Sequence, residues 1–270
     1  MNFGSASWGF REEPLERQLQ ITKELGLSTL ELGIANAPKD LPLDISDAEL
    51  AEVKALYEKY GIALTCAATG NDFTNGNMDD VAKIKRVMDI CQTLGVKYLR
   101  IFAGFSPREA VTGAVWDTMI AALKEVYAYS DTVIPVVETH GGVNGYDDGV
   151  EHFASITTDA ESLQKIIAEI PELKINYDPA NLYAVGVKNP DTVYQQIKDH
   201  VCYVHLKDFA TVPGGHLRPS ACGESDMDWT PILASIRDEE FPMLFEYENT
   251  EDIRDGLERS YDYIKKELLK

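Results

Sequence analysis

Four stretches of this chain set ionisable side chains behind apolar runs. "VVETH" carries Glu138 and His140, "INYDPAN" carries Asp178, "YVHLKD" carries His205 and Lys207, and "LFEYEN" carries Glu246. Taken singly, each has a structural use: Glu138 could exit into solvent, Asp178 could cap a turn ahead of Pro179, His205 could be a hydrogen-bonded core histidine, and Glu246 could pair with a lysine. Together they make a different demand. Three carboxylates in one half-enclosed place repel one another and lose hydration, at a cost on the order of several kcal/mol per unpaired ion. A divalent cation removes that cost. Three oxygen donors and one imidazole suit Mn2+, Mg2+ or Co2+, and Zn2+ can bind the same set. Such an ion acts as a Lewis acid on a carbonyl and stabilises the charge of an enediolate.

For these groups to meet, the runs that carry them must end on one side of the molecule. Short apolar runs alternate with amphipathic stretches along the whole chain: "NFGSAS", "TLELG", "IALTCAA", "YLRIFAG", "VIPVVET", "LKINYD", "CYVHLKD" and "MLFEYE" read as strands. "SDAELAEVKALYEKYG" opens with Ser46 and Glu49 at capping-box spacing and closes on Gly61, which predicts a helix between them. "MDDVAKIKRVMDICQTLG" and "IRDGLERSYDYIKKELL" repeat the amphipathic pattern. Eight β-then-α units predict a single (β/α)8 TIM barrel over residues 1–270, with the site at the C-terminal ends of the strands. A doubly wound open sheet is the competing architecture, weakened because no GxGxxG follows the first strand. Strand alternation sends His140 to the same side as Glu138, and Lys207 to the same side as His205.

Composition narrows the partners. A formal charge of −20 and a pI near 4.6 disfavour nucleic acid and anionic membrane surfaces. The four cysteines have no CxxC spacing and read as reduced, buried thiols of a cytoplasmic protein. Neither a signal-peptide pattern nor a long apolar span is present, so a soluble, unsecreted protein is expected, and a homo-oligomer is allowed.

The motifs "ETHGG", "NYDPANL", "YVHLKD", "CGESDMDW" and "FEYEN", in this order, resemble the xylose isomerase-like sugar phosphate isomerase/epimerase superfamily of TIM barrels. The resemblance implies that Glu138, Asp178, His205 and Glu246 bind one divalent metal, with Mn2+ favoured. It also implies that Glu138 and Glu246 flank a substrate carbon and exchange its proton. Arg218 matches a family arginine that contacts substrate oxygens, and His140, Asn181 and Lys207 complete the expected substrate contacts. Glu224 and Asp228 are expected to organise their loop, while Trp8 and Trp229 either wall the pocket or pack. Two positions depart from the pattern: Asn181 stands where many relatives have histidine, and Asn144 where the ketose 3-epimerases carry glutamate.

The implied activity is a metal-dependent isomerase or epimerase of a small sugar, keto-sugar or polyol derivative. The alternatives are a keto-polyol dehydratase or other lyase on the same metal site, suggested by "ETH" and Asn181, and a non-catalytic sugar-binding barrel. An apurinic endonuclease fits less well, because "TCAATG" and "RIFAGF" supply none of the histidines of its three-metal cluster. The glycines at 214 and 215 could hold an anion on backbone amides or simply shape a lid.

Overall fold

The computed structural model describes residues 2–76 and 78–269. Its barrel strands are β1 (Asn2–Ser5), β2 (Thr29–Leu30), β3 (Leu32–Gly33), β4 (Cys66–Ala68), β5 (Tyr98–Ile101) and β6 (Ile134–Glu138), then β9 (Lys174–Tyr177), β10 (Val201–Leu206) and β13 (Pro242–Phe245). They pair in parallel in the order β2-β1-β13-β10-β9-β6-β5-β4-β3. β2 and β3 are halves of one stave interrupted at Glu31. The first half pairs with β1 and the second with β4, so the two ends of the sheet meet and the barrel closes. Closure excludes the open doubly wound sheet.

Helices α1 (Leu15–Glu24), α2 (Asp47–Tyr60), α3 (Asp79–Leu94), α4 (Ala114–Tyr127), α5 (Ala160–Glu169), α6 (Pro179–Ala184), α7 (Pro190–Ile197), α8 (Trp229–Ile236) and α9 (Ile253–Leu268) cover the outside. The expected capping box on α2 is formed, with Glu49 N–H donating to Ser46 Oγ and Ser46 N–H donating to Glu49. Gly61 ends the helix at φ +67°, a left-handed conformation cheap only for glycine. On α3 the buried face is Val81, Ile84, Val87, Met88, Ile90, Cys91 and Leu94. Truncating a side chain such as Ile84 to alanine would cost about 2–5 kcal/mol in transfer and cavity terms.

Alternation divides each strand between two layers. Val137, Ile175, Val204, Met243 and Phe245 join the large cluster between sheet and helices, whereas Val136, Tyr203 and Leu244 pack with Ala6 and Cys66 in a second cluster. The residues that continue this second set along the strands, two by two, are Glu138, His205 and Glu246. The same periodicity that fills the barrel therefore delivers the ionisable groups to its mouth.

The sequence reading lacked a second sheet. β7 (Gly142–Tyr146) and β8 (Gly149–Phe153) form one hairpin, β11 (Asp208–Thr211) and β12 (Leu217–Ser220) another, and Leu217 pairs with Val150 to join them. The chain leading into the loop of Glu224 and Asp228 is thus partly strand. Gly215, at φ +88°, lies at the tip of the second hairpin, and its N–H donates to Val212 O, so this amide serves the turn. Among the described residues, no helix is long and apolar enough to cross a membrane.

Candidate metal centre and substrate cavity

Glu138 ends β6, Asp178 follows β9 and caps α6 by accepting from Asn181 N–H at 3.0 Å, His205 lies within β10, and Glu246 follows β13. One ligand atom from each lies within 4.8 Å of every other, and all four side chains are buried. His205 Nδ1 stands 3.6 Å from Glu138 Oε1 and 3.4 Å from Glu246 Oε2 and makes no hydrogen bond, and Asp178 Oδ2 is likewise without one. Donors about 2.1 Å from a common ion and roughly at right angles would sit about 3 Å apart. An unbonded His205 Nδ1 among carboxylate oxygens at slightly wider spacing is a cluster that could hold a divalent ion.

Glu31, which the sequence reading passed over, explains how His205 is oriented. Its Oε1 lies 3.3 Å from His205 Nε2 and accepts from Tyr203 OH at 3.2 Å, while Oε2 accepts from Ser7 N–H and Oγ–H at 3.2 and 3.1 Å. With Nε2 turned to a carboxylate, Nδ1 is left for an ion, an arrangement that fixes ring orientation in metal sites. Burial opposes the imidazolium, but Glu246 and Glu31 outweigh it and hold the pKa of His205 well above its ordinary value. Burial, reinforced by Glu138 and Glu246 against the pull of Lys207, pushes the Asp178 carboxyl up to about 7.

Two buried cations hold the catalytic-pair candidates. Arg100 Nε is 3.2 Å from Glu138 Oε2, and Asn181 Nδ2 donates to Glu138 Oε1 at 3.0 Å. Burial raises the pKa of Glu138, but Arg100 and His205 pull it down to about 2. Lys207 Nζ lies 2.8 Å from Glu246 Oε2, 3.0 Å from Glu248 Oε1 and 3.2 Å from Asp178 Oδ2. Against burial, Lys207 and His205 hold Glu246 well below the usual carboxylate range.

Above these groups opens a cavity of about 440 Å³, lined by Glu138, Glu246, His140, Lys207 and Arg100 among others. His140 Nδ1 meets the Gly141 carbonyl, which can only accept, so Nδ1 carries the proton and Nε2 a lone pair. Its ring packs edge-on against Phe102 and Phe105. The roof comes from the unforeseen hairpins: Val143, Val150 and His152 from the first, Pro219 from the second. His152 has a buried, unpartnered Nδ1, and burial, with Lys207 and His140 adding, lowers its pKa to about 3.

The other predicted residues fall elsewhere. Asn181 stands behind Glu138 and does not line the cavity; Arg218 is exposed on β12, with Nε donating to Asp148 O at 2.7 Å. Trp8 walls the cavity, whereas Trp229 is buried with its Nε1–H donating to Asp208. Glu224 accepts from Ala221 N–H and Asp228 from Thr230 N–H, and Asn144 is an exposed hairpin residue.

The crystal structure of the probable 3-DHS dehydratase AsbF of Bacillus anthracis, involved in petrobactin synthesis, superimposes with a TM-score of 0.78 at 15% identity, covering 98% of this chain and 99% of that one. A xylose isomerase-like TIM-barrel protein of Mycobacterium smegmatis in complex with magnesium gives 0.71 at 14% identity, covering 99% and 96%. The D-allulose 3-epimerase of Methylomonas sp., in complex with D-allulose, gives 0.69 at 17% identity, covering 99% and 97%. These likenesses carry the fold. No curated protein matches by sequence. A family match extends over residues 19–267, nearly the full run of strands that closes the barrel and presents the four ligand-type side chains, and by it this chain belongs to the xylose isomerase-like TIM-barrel family.

Proposed function

We propose that the protein is a divalent-metal-dependent isomerase or epimerase of a small sugar, keto-sugar or related polyol. The observation that carries this reading is the pair Glu138 and Glu246: both face one cavity, and His205 Nδ1 lies between them. A divalent ion held by Glu138, Asp178, His205 and Glu246 would polarise a substrate carbonyl and offset the charge that develops beside it. Mn2+ is our assignment for this hard donor set. The cysteines, free among the described residues, fit a cytoplasmic setting.

The chain's own part is positioning and proton transfer. Arg100 and Asn181 fix both oxygens of Glu138, and Lys207 fixes one oxygen of Glu246. Arg100 and Lys207, with His205, keep both carboxylates ionised, ready to accept a proton but weakly basic, so the substrate C–H must be acidified by an adjacent polarised carbonyl. Two carboxylates placed on opposite faces of a planar enediolate can return the proton to either face or to the neighbouring carbon.

A second reading, a dehydratase, is favoured by His140. Burial lowers its pKa, so at neutral pH it presents an uncharged imidazole with a free Nε2 in the cavity, a suitable base for a C–H and acid for a leaving hydroxyl. Incubating metal-loaded protein with a panel of aldoses, ketoses and keto-polyols separates the two. Product of unchanged mass is expected from isomerisation, and loss of water assigns the dehydratase. Binding without any product sinks both and leaves a sugar-binding barrel.

A further inference from the structure

Among the described residues three arginine or lysine side chains line the cavity, and two of them make ion pairs. Arg100 pairs with Glu138, and Lys207 lies among Asp178, Glu246 and Glu248. Arg11 is different. Among the described residues its only hydrogen bonds run from Nη1 to two backbone carbonyls, Trp8 O at 3.1 Å and Glu248 O at 3.0 Å, and no carboxylate forms an ion pair with it. Its guanidinium also lies over the Trp8 ring, 5.1 Å from the centroid. The side chain is half-buried in a chain with 45 acidic residues, yet the carboxylate that feels its charge, Glu248, is bonded to Lys207 and makes no ion pair with it.

The anchoring leaves a particular edge unused. With Nη1 tied down and the guanidinium over the indole, Nε and Nη2 form the two parallel N–H donors that match a carboxylate or phosphate. The backbone sets where that edge stands. Trp8–Phe10 form a single helical turn after β1, and a Cβ at Gly9 would lie 2.1 Å from Tyr247 O, so this turn is pressed against the chain leaving β13. β1 and β13 are neighbours, and across the barrel from them lie β5 and β6, whose ends carry Phe102 and His140. Hydroxyl groups could accept from the same edge, but they would leave its charge unbalanced. In a protein of net charge −20, an unmatched cation inside the mouth also offsets the long-range repulsion an anionic ligand meets.

We propose that Arg11 receives an anionic end of the substrate: the ligand is a polyhydroxylated compound bearing a carboxylate or a phosphate ester, held by Nε and Nη2 of Arg11. This rests on the reading of the cavity as a substrate pocket for a small polyol-like compound, and it names that compound's charge class. The test is isothermal titration of the Mg2+-loaded full chain with two matched pairs, sorbitol against gluconate and glycerol against glycerol phosphate. The wild type should bind one or both anions roughly 10- to 100-fold more tightly than the neutral partner, the range of a charge-assisted hydrogen-bond pair. Preference for gluconate alone assigns a carboxylate, and for glycerol phosphate alone a phosphate. Arg11→Met should abolish the preference while binding Mg2+ as the wild type does. Arg11→Lys keeps the charge without the planar fork and should retain part of the preference; it carries the comparison if Arg11→Met fails to fold. Equal binding of anions and neutral partners, or no binding of either, overturns the proposal. So does a preference that survives undiminished in Arg11→Met, which would put the anion on the metal. Failure of the isomerase reading shows separately, as an Arg11-dependent anion preference without metal-dependent proton exchange on any substrate.

Discussion

If Glu138, Asp178, His205 and Glu246 hold a divalent ion as proposed, loading it should expel protons, and their number should change with pH. In the metal-free protein burial, with Glu138 and Glu246 adding, raises the Asp178 carboxyl to about 7. Burial works against a charged His205, but Glu246 and Glu31 prevail and keep it protonated well above its ordinary pKa. An ion needs Asp178 ionised and His205 Nδ1 bare. With its pKa at about 7, Asp178 is roughly nine-tenths protonated at pH 6 and one-tenth at pH 8, so loading should release about two protons at the lower pH and about one at the higher. Affinity should correspondingly climb by about a hundredfold per pH unit near pH 6 and about tenfold per unit near pH 8. Titrating Mg2+ calorimetrically in buffers of matched pH and different ionisation enthalpy counts the protons directly. Asp178→Asn should release about one proton at both values. Equal release by the wild type at the two pH values, or none, would refute the reasoning, because Asp178 would then not be the group that buries its proton.

Glu31→Gln should weaken metal binding by roughly 10- to 100-fold, the usual cost of losing a group that orients a ligating histidine; an unchanged affinity would remove Glu31 from that role. Gly9→Ala places a Cβ 2.1 Å from Tyr247 O and should cost about 1–3 kcal/mol, read as a fall in Tm by thermal denaturation. An unaltered Tm would show that the turn is not pressed against β13 as described. His140→Ala should leave metal affinity intact and reduce turnover by about 10²- to 10⁴-fold if its imidazole moves a proton; turnover at the wild-type rate would confine it to packing on Phe102 and Phe105.

The barrel and the gathering of Glu138, Asp178, His205 and Glu246 could be read from period-2 alternation because both follow local rules: an apolar strand fills the wall, and the side chain two positions beyond an inward residue is again inward. That rule placed His140 and Lys207 on the cavity side, where both are found. Applied to every strand it would also have yielded Glu31 in "TLELG", Arg100 with Phe102 in "YLRIFAG", and Glu248 beyond Glu246. These are the groups that orient His205, fix Glu138 and share Lys207. The roof was missed for a different reason. Its strands are short, only partly buried and half polar, so hydrophobicity marks them poorly, although the Asp-Gly pair at 148 and 149 between "VNGY" and "VEHF" is a hairpin signal. Arg11 had no signal at all: its lack of an acidic partner is a property of three-dimensional neighbours, and spacing along the chain does not contain it.

The central claim is that this centre moves a proton beside a substrate carbonyl. The direct measurement is deuterium uptake from D₂O into substrate carbon, compared for metal-loaded wild type, metal-stripped protein and Glu138→Gln and Glu246→Gln. Deuterium is expected at the carbon next to the carbonyl only with metal bound, and should be lost in both variants. Metal-independent exchange, or full exchange in both variants, would contradict it.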